Sequence, residues 1–262
     1  MTRSRPRARS PGTPRQRLDQ LLVARGLVAT PARAQALLLA GRIRVGEGDG
    51  ARLDRKPGDL VPADTPLSRI ETAPYVSRGG EKLAAALDAF GIDPGGRICL
   101  DVGASTGGFT DCLLRRGATR IYALDVGRGQ LAESLRGDAR VVSYERTHAA
   151  RLDPDHPDPF ALPEPVSLAV IDVSFISLTR ILRGVVAQLE PEGEIVALVK
   201  PQFEAGRGEA PGGVVRDPDV RRAVVERIAE HARVLGLRVL GETESPLAGP
   251  RGNRETFLHL GR

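Results

Sequence analysis

The stretch Arg97-Ile-Cys-Leu-Asp-Val-Gly-Ala-Ser-Thr-Gly-Gly-Phe-Thr110 decides the fold of this chain. Its apolar run, residues 98–100, predicts a buried strand. The glycine-rich segment that follows predicts a tight turn, and the periodic residues from Phe109 onward predict a helix. Glycine permits main-chain conformations closed to other residues, so backbone N–H groups in such a turn can approach a ligand at the start of a helix. The stretch therefore predicts a nucleotide-type ligand site.

The residues within the turn narrow the class of ligand. Phe109 stands where the phosphate-binding lysine of a P-loop would be, which argues against a triphosphate. Ser105 stands where the dinucleotide fingerprint has its middle glycine, which argues against a pyrophosphate. A ligand with a ribose and no phosphates fits better, and S-adenosylmethionine is the commonest of these. The structural alternative is a plain tight connection between a strand and a helix.

A second carboxylate favours the ligand site over that alternative. The next predicted strand, residues 120–125, ends in Asp125, 22 positions after Gly103. From that place an acid can hydrogen-bond ribose hydroxyls. The residues that we predict to bind the cofactor are Asp101, Gly103, Ala104, Ser105, Gly107, Gly108, Phe109 and Asp125.

The composition is that of a globular protein with one basic end. The chain has 262 residues, 41% of them hydrophobic, and a net charge of +5, which allows one large domain and a small one. The first 17 residues carry six arginines and no acid. This local charge indicates a polyanionic partner, and residues 1–14 are predicted to be a disordered basic leader.

Nothing in the sequence indicates export, a membrane span or a bound metal. No apolar segment follows the basic N-terminal residues, and no run of about 18 apolar residues occurs. The two cysteines, Cys99 and Cys112, fall in the first strand and the following helix of the glycine-loop unit, where they are predicted to be buried, reduced thiols. We therefore expect a cytoplasmic protein.

Residues 15–73 are predicted to form a small RNA-binding domain. Two short helices and a strand display five arginines that could make a basic face for folded RNA, although a solvated helical hairpin fits the pattern equally well. Residues 15–48, including Leu18-Asp19 and Gly41-Arg-Ile-Arg-Val45, resemble the ribosomal-protein-S-four-like RNA-binding domain, and this resemblance implies binding to double-stranded or folded RNA. The arginines of the predicted face are Arg17, Arg25, Arg33, Arg42 and Arg44.

Residues 81–262, after a linker over 74–80, are predicted to form an α/β domain. Strands and helices alternate here, which is typical of a Rossmann-like parallel sheet with helices on both faces. The last two strands lack a helix between them and can form an antiparallel hairpin at the edge. Strands are predicted at 97–102, 120–125, 140–143, 166–171, 194–199, 237–244 and 255–260, and helices at 81–90, 108–116, 128–136, 177–189 and 217–235.

The residues that follow the later strands favour an oxygen as methyl acceptor. Asp172 follows strand 166–171, and Lys200 follows strand 194–199. Ligands bind beyond the carboxyl ends of such strands. Enzymes that methylate exocyclic amines place an Asn/Asp-Pro-Pro-aromatic tetrad at this point, and cytosine carbon-five enzymes use a cysteine after a proline. Asp172-Val-Ser-Phe175 has neither, so a hydroxyl is the better acceptor.

Lysine is scarce in this chain and is a candidate base. Only Lys56, Lys82 and Lys200 occur beside 35 arginines, and lysine, unlike arginine, can lose its proton in a protein. Burial and a second cation such as Lys82 would promote a neutral Lys200, whereas nearby carboxylates would oppose it. The identity of the base stays open on this reasoning, and an ordinary salt-bridging role for Lys200 is the alternative.

Five motifs resemble the FtsJ-like ribose 2′-O-methyltransferases, and with the N-terminal domain they resemble the TlyA family of ribosomal RNA (cytidine-2′-O)-methyltransferases. The resemblance implies an S-adenosylmethionine-dependent enzyme that acts on ribosomal RNA or ribosomal subunits, with Lys82, Asp172, Lys200 and Glu255 as a catalytic tetrad and Lys200 as the base. His148 departs from the family, which usually has asparagine there. The motifs are Ser77-Arg-Gly-Gly-Glu-Lys-Leu83, Asp101–Thr110, Asp172-Val-Ser-Phe-Ile-Ser177, Leu198-Val-Lys-Pro-Gln-Phe-Glu204 and Gly252-Asn-Arg-Glu255.

Two functions from other classes compete with the enzyme. Some relatives carry a haemolysin label, and a cytolytic protein would need an amphipathic or apolar membrane segment, of which the sequence shows none of convincing length. A non-catalytic RNA-binding module could also retain the cofactor pocket. The enzyme requires the four tetrad residues to converge beside an open pocket, so separation of the four, or a pocket filled by Phe109, would exclude it.

Overall fold

The computed structural model describes residues 14–39, 41–69, 74–206, 208–249 and 252–262. The chain divides into two compact units, the first ending at Ala73 and the second beginning at Pro74. Almost all of the predicted basic leader lies outside the described residues, so its disorder stays a prediction.

The first unit is a pair of short helices with two small antiparallel sheets. Its elements are β1 (Arg15–Arg17), α1 (Leu18–Ala24), α2 (Pro31–Leu39), β2 (Ile43–Val45), β3 (Leu60–Pro62) and β4 (Leu67–Arg69). Helices α1 and α2 confirm the predicted helical pair, and strand β2 confirms the predicted strand. Leucines from both helices join Ile43 and Val45 of β2 and Val61 of β3 in one core. Strand β1 pairs with β3, and β2 pairs with β4.

The second unit has the predicted alternation of helices and strands. Its elements are α3 (Arg78–Phe90), β5 (Ile98–Val102), α4 (Gly108–Arg115), β6 (Arg120–Leu124), α5 (Glu133–Arg136), β7 (Val141–Tyr144), β8 (Val166–Ile171), α6 (Leu182–Ala187), β9 (Leu189–Val199), α7 (Pro201–Glu204), α8 (Pro218–Val234), β10 (Arg238–Glu244) and β11 (Thr256–Gly261).

These strands form one seven-stranded sheet in the order β10-β11-β9-β8-β5-β6-β7. Strands β9, β8, β5, β6 and β7 are parallel, whereas β11 is antiparallel to both β9 and β10. The predicted antiparallel hairpin at the edge of a parallel sheet is therefore confirmed.

Both faces of this sheet are buried, as a parallel sheet requires. Along β5, Cys99 packs with α3 and α4 on one face, whereas Leu100 and Val102 pack with α6 and α8 on the other. Successive side chains of a strand point to opposite faces, so the apolar residues of β5 contribute to both cores. Both cysteines are buried, free thiols, as predicted, and burial raises the pKa of Cys99 to about 12 and that of Cys112 to about 11.

Two predicted helices are wrong in extent. The helix predicted at 128–136 is reduced to α5, because residues 125–129 form a turn in which Gly129 has φ +64° and Gly127 N–H donates to the Asp125 carboxylate. The helix predicted at 177–189 is a 3₁₀ turn at Leu178–Arg180 followed by α6, with Ile181 at φ −122° between them.

Candidate active site

The ends of four strands bring the candidate residues to one edge of the sheet. Strands β9, β8, β5 and β6 are neighbours and run parallel. The residues that follow them, Lys200, Asp172, Gly103 and Asp125, therefore leave the sheet on the same side. The antiparallel β11 pairs Thr256 with Val199, and this register delivers Glu255 to the same edge.

The glycine-rich turn lies tightly against the segment that follows β8. Gly103 has φ +88°, and a Cβ built on it would lie 2.6 Å from the Asp172 carbonyl oxygen. Gly107 has φ +94°, and Ser105 has φ +48°, a left-handed conformation that is uncommon for residues other than glycine. The turn leads directly into α4. Its backbone thus has the close approach and sharp reversal that the sequence predicted.

The Asp125 carboxylate organises this turn. Oδ2 accepts the Ser105 N–H at 2.8 Å, and Oδ1 accepts the Gly127 N–H at 2.7 Å. Each carboxylate oxygen has a second acceptor position, and Asp125 still lines a cavity. It can therefore hold the turn and accept hydrogen bonds from a ribose at the same time.

Asp101 differs from the prediction that it contacts the cofactor. Its side chain is completely buried, and Oδ2 accepts the Thr110 hydroxyl of α4 at 2.7 Å. Burial raises the pKa of Asp101 to about 7, and the charges of Asp172 and Asp125 also raise it, against the lowering effect of the Thr110 hydrogen bond. Asp101 supports the glycine-rich turn from the protein interior, because helix α4 covers its carboxylate.

Two adjoining cavities flank the glycine-rich turn. The smaller, of about 280 Å³, is lined by all four tetrad residues, together with Gly103, Ala104, Ser105, Gly108, Phe109 and residues 77–79. The larger, of about 460 Å³, is lined by Gly103, Ser105, Asp125, His148 and residues 172–176. The cavities share Gly103, Ser105, Asp172 and Ser174. A ligand of two parts could therefore occupy both and meet the tetrad at their junction.

Phe109 forms a wall of the smaller cavity without filling it. Its side chain is buried, and its ring centroid lies 6.1 Å from that of Phe257. Gly107 and Gly108 allow α4 to start close to its neighbours. A Cβ on Gly107 would lie 2.3 Å from Leu135, and one on Gly108 would lie 2.9 Å from the Gly80 nitrogen. The open pocket that the enzyme requires is present.

The tetrad forms two ion pairs in this cavity. Lys82 Nζ of α3 lies 2.5 Å from Glu255 Oε2, and Lys200 Nζ lies 2.6 Å from Asp172 Oδ1. Lys200 also donates to Ser174 Oγ at 3.2 Å. The Lys200–Asp172 contact is an ion pair by distance without the alignment of a hydrogen bond. Four residues that are distant in sequence therefore converge as the resemblance implied.

Sequence reasoning missed two residues of this site. Ser174 lines both cavities and bonds to Lys200, and Phe175 is 91% exposed at the rim of the larger cavity with φ +65°. A signal was available for both residues, because they lie two and three positions after Asp172, which follows a strand end. Their individual roles could not be inferred from that position alone.

The five arginines predicted to bind RNA all lie in the first unit, but they differ in availability. Arg17 lies 2.7 Å from Asp19, whose pKa it lowers, and Arg25 donates to the carbonyl oxygens of Thr65 and Ala63. Among the described residues, the guanidinium groups of the other three have no ion-pair or hydrogen-bond partner. These are Arg33, Arg42 and Arg44, of which Arg42 is half-buried and the others are exposed. Likewise, no cluster of metal-binding side chains occurs in the described part of the chain.

Comparison with protein families and sequences places these features in a known context. The sequence model of the FtsJ-like methyltransferases matches residues 75–262. The chain is 47% identical to the 16S/23S rRNA (cytidine-2′-O)-methyltransferase TlyA of Mycobacterium tuberculosis (strain CDC 1551 / Oshkosh) over 249 residues, which cover 94% of this chain and 90% of that protein.

Solved structures show the same fold. A hemolysin-named protein from Streptococcus thermophilus is 41% identical, with a TM-score of 0.71, and the match covers 95% of this chain and 89% of that one. A Listeria monocytogenes protein described as an S-adenosylmethionine-dependent methyltransferase is 15% identical, with a TM-score of 0.52, over 70% of this chain and 99% of that one. The latter likeness concerns the fold alone. The predicted α/β fold class is confirmed.

Proposed function

The chain belongs to the FtsJ-like methyltransferase family, and from that premise we propose that it methylates the ribose 2′-hydroxyl of a cytidine in ribosomal RNA, with S-adenosylmethionine as donor. The observation that carries this proposal is the convergence of Lys82, Asp172, Lys200 and Glu255 in one cavity beside the glycine-rich turn. The 47% identity to a protein named for this reaction supports the substrate class.

The two adjoining cavities suit the donor. Asp125 would accept hydrogen bonds from its ribose hydroxyls, and the backbone at Gly103 and Ser105 would lie beside the junction of its two parts. The Cβ of any other residue at position 103 would collide with the Asp172 carbonyl, so the turn depends on glycine here. When bound, S-adenosylmethionine supplies an activated methyl group on a sulfonium.

Lys200 is the group that we propose to take the proton of the ribose hydroxyl. The proton leaves the 2′-oxygen for the Lys200 amine as that oxygen forms its bond to the methyl carbon, while the bond from that carbon to the donor sulfur would break and leave its electron pair on sulfur. General bases of this kind contribute about 10²–10⁴-fold. The Lys200 amine lies 2.6 Å from Asp172 Oδ1, and Lys82 lines the same cavity. Asp172 and Ser174 orient the Lys200 amine, so that positioning accompanies proton transfer.

We further propose that the first unit binds the RNA through its available arginines. Phosphate contacts by arginine position a protein on RNA, and each contact adds to the salt dependence of binding. Replacing Arg33, Arg42 and Arg44 by alanine in the full chain should weaken RNA binding and flatten its salt dependence, while donor affinity stays the same. Replacing Arg222, an exposed arginine paired with the exposed Asp219 in the second unit, is the matched control. Equal salt dependence in the triple variant and the wild type would contradict this role.

Methyl transfer to ribosomal subunits lacking the modification tests the proposed function. The purified chain is incubated with such subunits and a donor labelled in the methyl group, and the RNA is digested and mapped by mass spectrometry. We expect label on the ribose 2′-oxygen of cytidine and none when the donor is omitted. Label on a base nitrogen or carbon, or no label at all, would contradict the proposal.

The two competing functions make other demands on the molecule. The cytolytic alternative needs a membrane segment, and no helix within the described residues has the length and apolar character to cross a bilayer. A non-catalytic RNA-binding module does not need the two ion pairs that line the smaller cavity. The methyl-transfer assay separates that module from the enzyme.

A further inference from the structure

Two of the sequence motifs end in residues that bond to each other. Segment 172–177 follows β8, and segment 200–204 follows β9. The first ends in Ser177 and the second in Glu204. Ser177 Oγ donates to Glu204 Oε2 at 2.6 Å, and the Leu178 N–H donates to Glu204 Oε1 at 2.7 Å. The half-buried Glu204 carboxylate thus receives hydrogen bonds from the last residue of the neighbouring segment and from the residue that follows it.

The same two segments are in contact at two further places. We call these two contacts, together with the contact at Glu204, the loop junction. Next to the sheet, Lys200 pairs with Asp172 and bonds to Ser174. Farther out, the ring of Phe203 lies 4.9 Å from that of Phe175, centroid to centroid. Glu204 then closes the junction at its outer end. The segments that carry Lys200 and Asp172 are thereby fixed to each other along their length.

Glu204 is itself anchored at its main chain. Arg227 of α8 donates to the Glu204 carbonyl oxygen, and Ser177 is held by accepting the Thr179 N–H at 3.2 Å as the cap of the following 3₁₀ turn. Movement of either end would therefore break hydrogen bonds to a second element. Glu204 lies outside the linings of the two candidate cavities, so its effect on ligands would act through the loop junction.

We propose that Glu204 is a positioning residue for methyl transfer, which holds segment 200–204 against segment 172–177 and so sets the Lys200 amine beside the acceptor hydroxyl. This inference rests on the proposed function, since it concerns the geometry of that reaction. A misplacement of about 1 Å can cost about 10²-fold in rate. Loss of the outermost contact, with Lys200–Asp172 and Phe203–Phe175 still in place, should cost less than that.

The chemistry of Glu204 shows which variant should preserve the junction. Burial raises its pKa, while the bonds from Ser177 and Leu178 and the charge of Arg227 oppose that rise. Glutamine removes the charge, and its amide oxygen can still accept the Leu178 N–H. Its amide nitrogen can donate to Ser177 Oγ, whose own hydrogen can turn to Thr179 Oγ1, 2.8 Å away. Glu204→Gln should therefore retain the contact that Glu204→Ala removes.

Steady-state methyl transfer by the full chain tests the inference. We expect Glu204→Ala to lower kcat about tenfold at saturating donor and RNA, and Glu204→Gln to stay within about threefold of the wild type. Donor affinity should change much less than kcat, because Gly103, Ser105 and Asp125 lie in segments that Glu204 does not contact. The thermal midpoint of Glu204→Ala should fall by a few degrees, because the buried Leu178 N–H loses its acceptor. Glu192→Ala removes an exposed carboxylate from the opposite end of β9 and is the matched control.

Ser177→Ala keeps the test valid if Glu204→Ala fails to fold. This variant leaves the bond from Leu178 in place, and we expect a fall in kcat of about threefold. Full activity of the alanine variants, equal losses in Glu204→Ala and Glu204→Gln, or a donor affinity that falls as much as kcat would each overturn the positioning role. A wild-type chain without methyl-transfer activity would instead count against the proposed function.

Discussion

The two ion pairs of the candidate site have the same chemistry but different surroundings. The side chains of Lys82 and Glu255 are 10% and 0% exposed, whereas those of Lys200 and Asp172 are 12% and 23% exposed. The difference lies in the acids. Glu255 is fully buried and lines the smaller cavity alone, whereas Asp172 is partly exposed and lines both cavities.

This difference indicates that the two ion pairs have different roles. An isolated buried charge is costly, so Glu255 depends on Lys82 for its stability in the folded state. Asp172 is partly hydrated, and Lys200 has Ser174 as a second partner. We infer that the Lys82–Glu255 pair mainly fixes structure and local charge, while the Lys200–Asp172 pair takes part in the reaction. Four predictions can break or sharpen this comparison.

Lys200→Ala should have the largest effect on activity. We expect methyl transfer to fall about 10³-fold, because proton transfer by a positioned base contributes about 10²–10⁴-fold. Donor affinity should remain near wild type. Single-turnover methyl transfer and calorimetric donor binding measure the two effects. Lys200→Arg is the matched control, since arginine keeps the charge but cannot act as a base. Undiminished transfer by either variant would remove Lys200 as the base.

Lys82→Met should have the largest effect on stability. It leaves Glu255 as an uncompensated buried charge, which costs about 3–5 kcal/mol in the free energy of unfolding. Lys200→Met should cost about 1 kcal/mol, because water can reach Asp172 and exposed pairs contribute little. Urea denaturation at neutral pH measures both values. The double variant Lys82→Met with Glu255→Leu should recover much of the loss, and equal costs for the two single variants would abolish the distinction between the pairs.

The pH dependence of the free energy of unfolding, to which Asp101 contributes, allows Asp172 and Glu255 to be compared. Its pKa in the folded chain is about 7, against about 3.9 for an ordinary aspartate. Since the folded state holds this proton more tightly, Asp101 contributes stability at low pH that is lost as the pH rises through 7. Relative to Asp101→Asn, which keeps an acceptor for Thr110, the wild type should lose about 2 kcal/mol between pH 5.5 and pH 8.

The free energy of unfolding in urea at the two pH values measures this loss. The same measurement on Asp172→Asn and on Glu255→Gln shows which of the two acids interacts with Asp101. Asp172 is a charge that raises the pKa of Asp101, so removing it should reduce the pH-dependent difference. Glu255→Gln should change that difference less. A larger change with Glu255→Gln would mean that Glu255, and not Asp172, interacts with Asp101, which supports the glycine-rich turn.

The sequence was sufficient to predict that Asp172 and Lys200 converge, but not to predict which tetrad residues pair with each other. Parallel strands end at one edge of a sheet, so a polar residue after each of two adjacent strands can be placed there without a structure. Lys82 precedes the first strand of the sheet, and Glu255 precedes an antiparallel strand. The rule for the ends of parallel strands therefore does not apply to either residue. Their convergence depends on the packing of α3 and on the register of β11 against β9.

Asp101 and Phe175 show why other parts of the site escaped prediction. Asp101 and Asp125 both end predicted strands, and only the three-dimensional position of Thr110 decides that Asp101 is covered while Asp125 stays open. Phe175 is a large apolar residue in a motif, and such residues are usually buried. No local sequence pattern predicts its exposure or its left-handed backbone conformation.

Phe175→Ala should have the smallest effect, and it tests whether the open side of the site faces the RNA. Stacking of a nucleobase on an aromatic ring contributes about 1–3 kcal/mol, so we expect KM for the RNA to rise about fivefold to tenfold. We also expect kcat to fall about threefold, because the contact with Phe203 in the loop junction is lost. Because Phe175 is 91% exposed, the free energy of unfolding should change little. Steady-state kinetics with varied RNA, together with donor binding, measures this. Val234→Ala, on an exposed part of α8, is the control. A rise in the donor dissociation constant with unchanged KM for RNA would assign Phe175 to the donor instead.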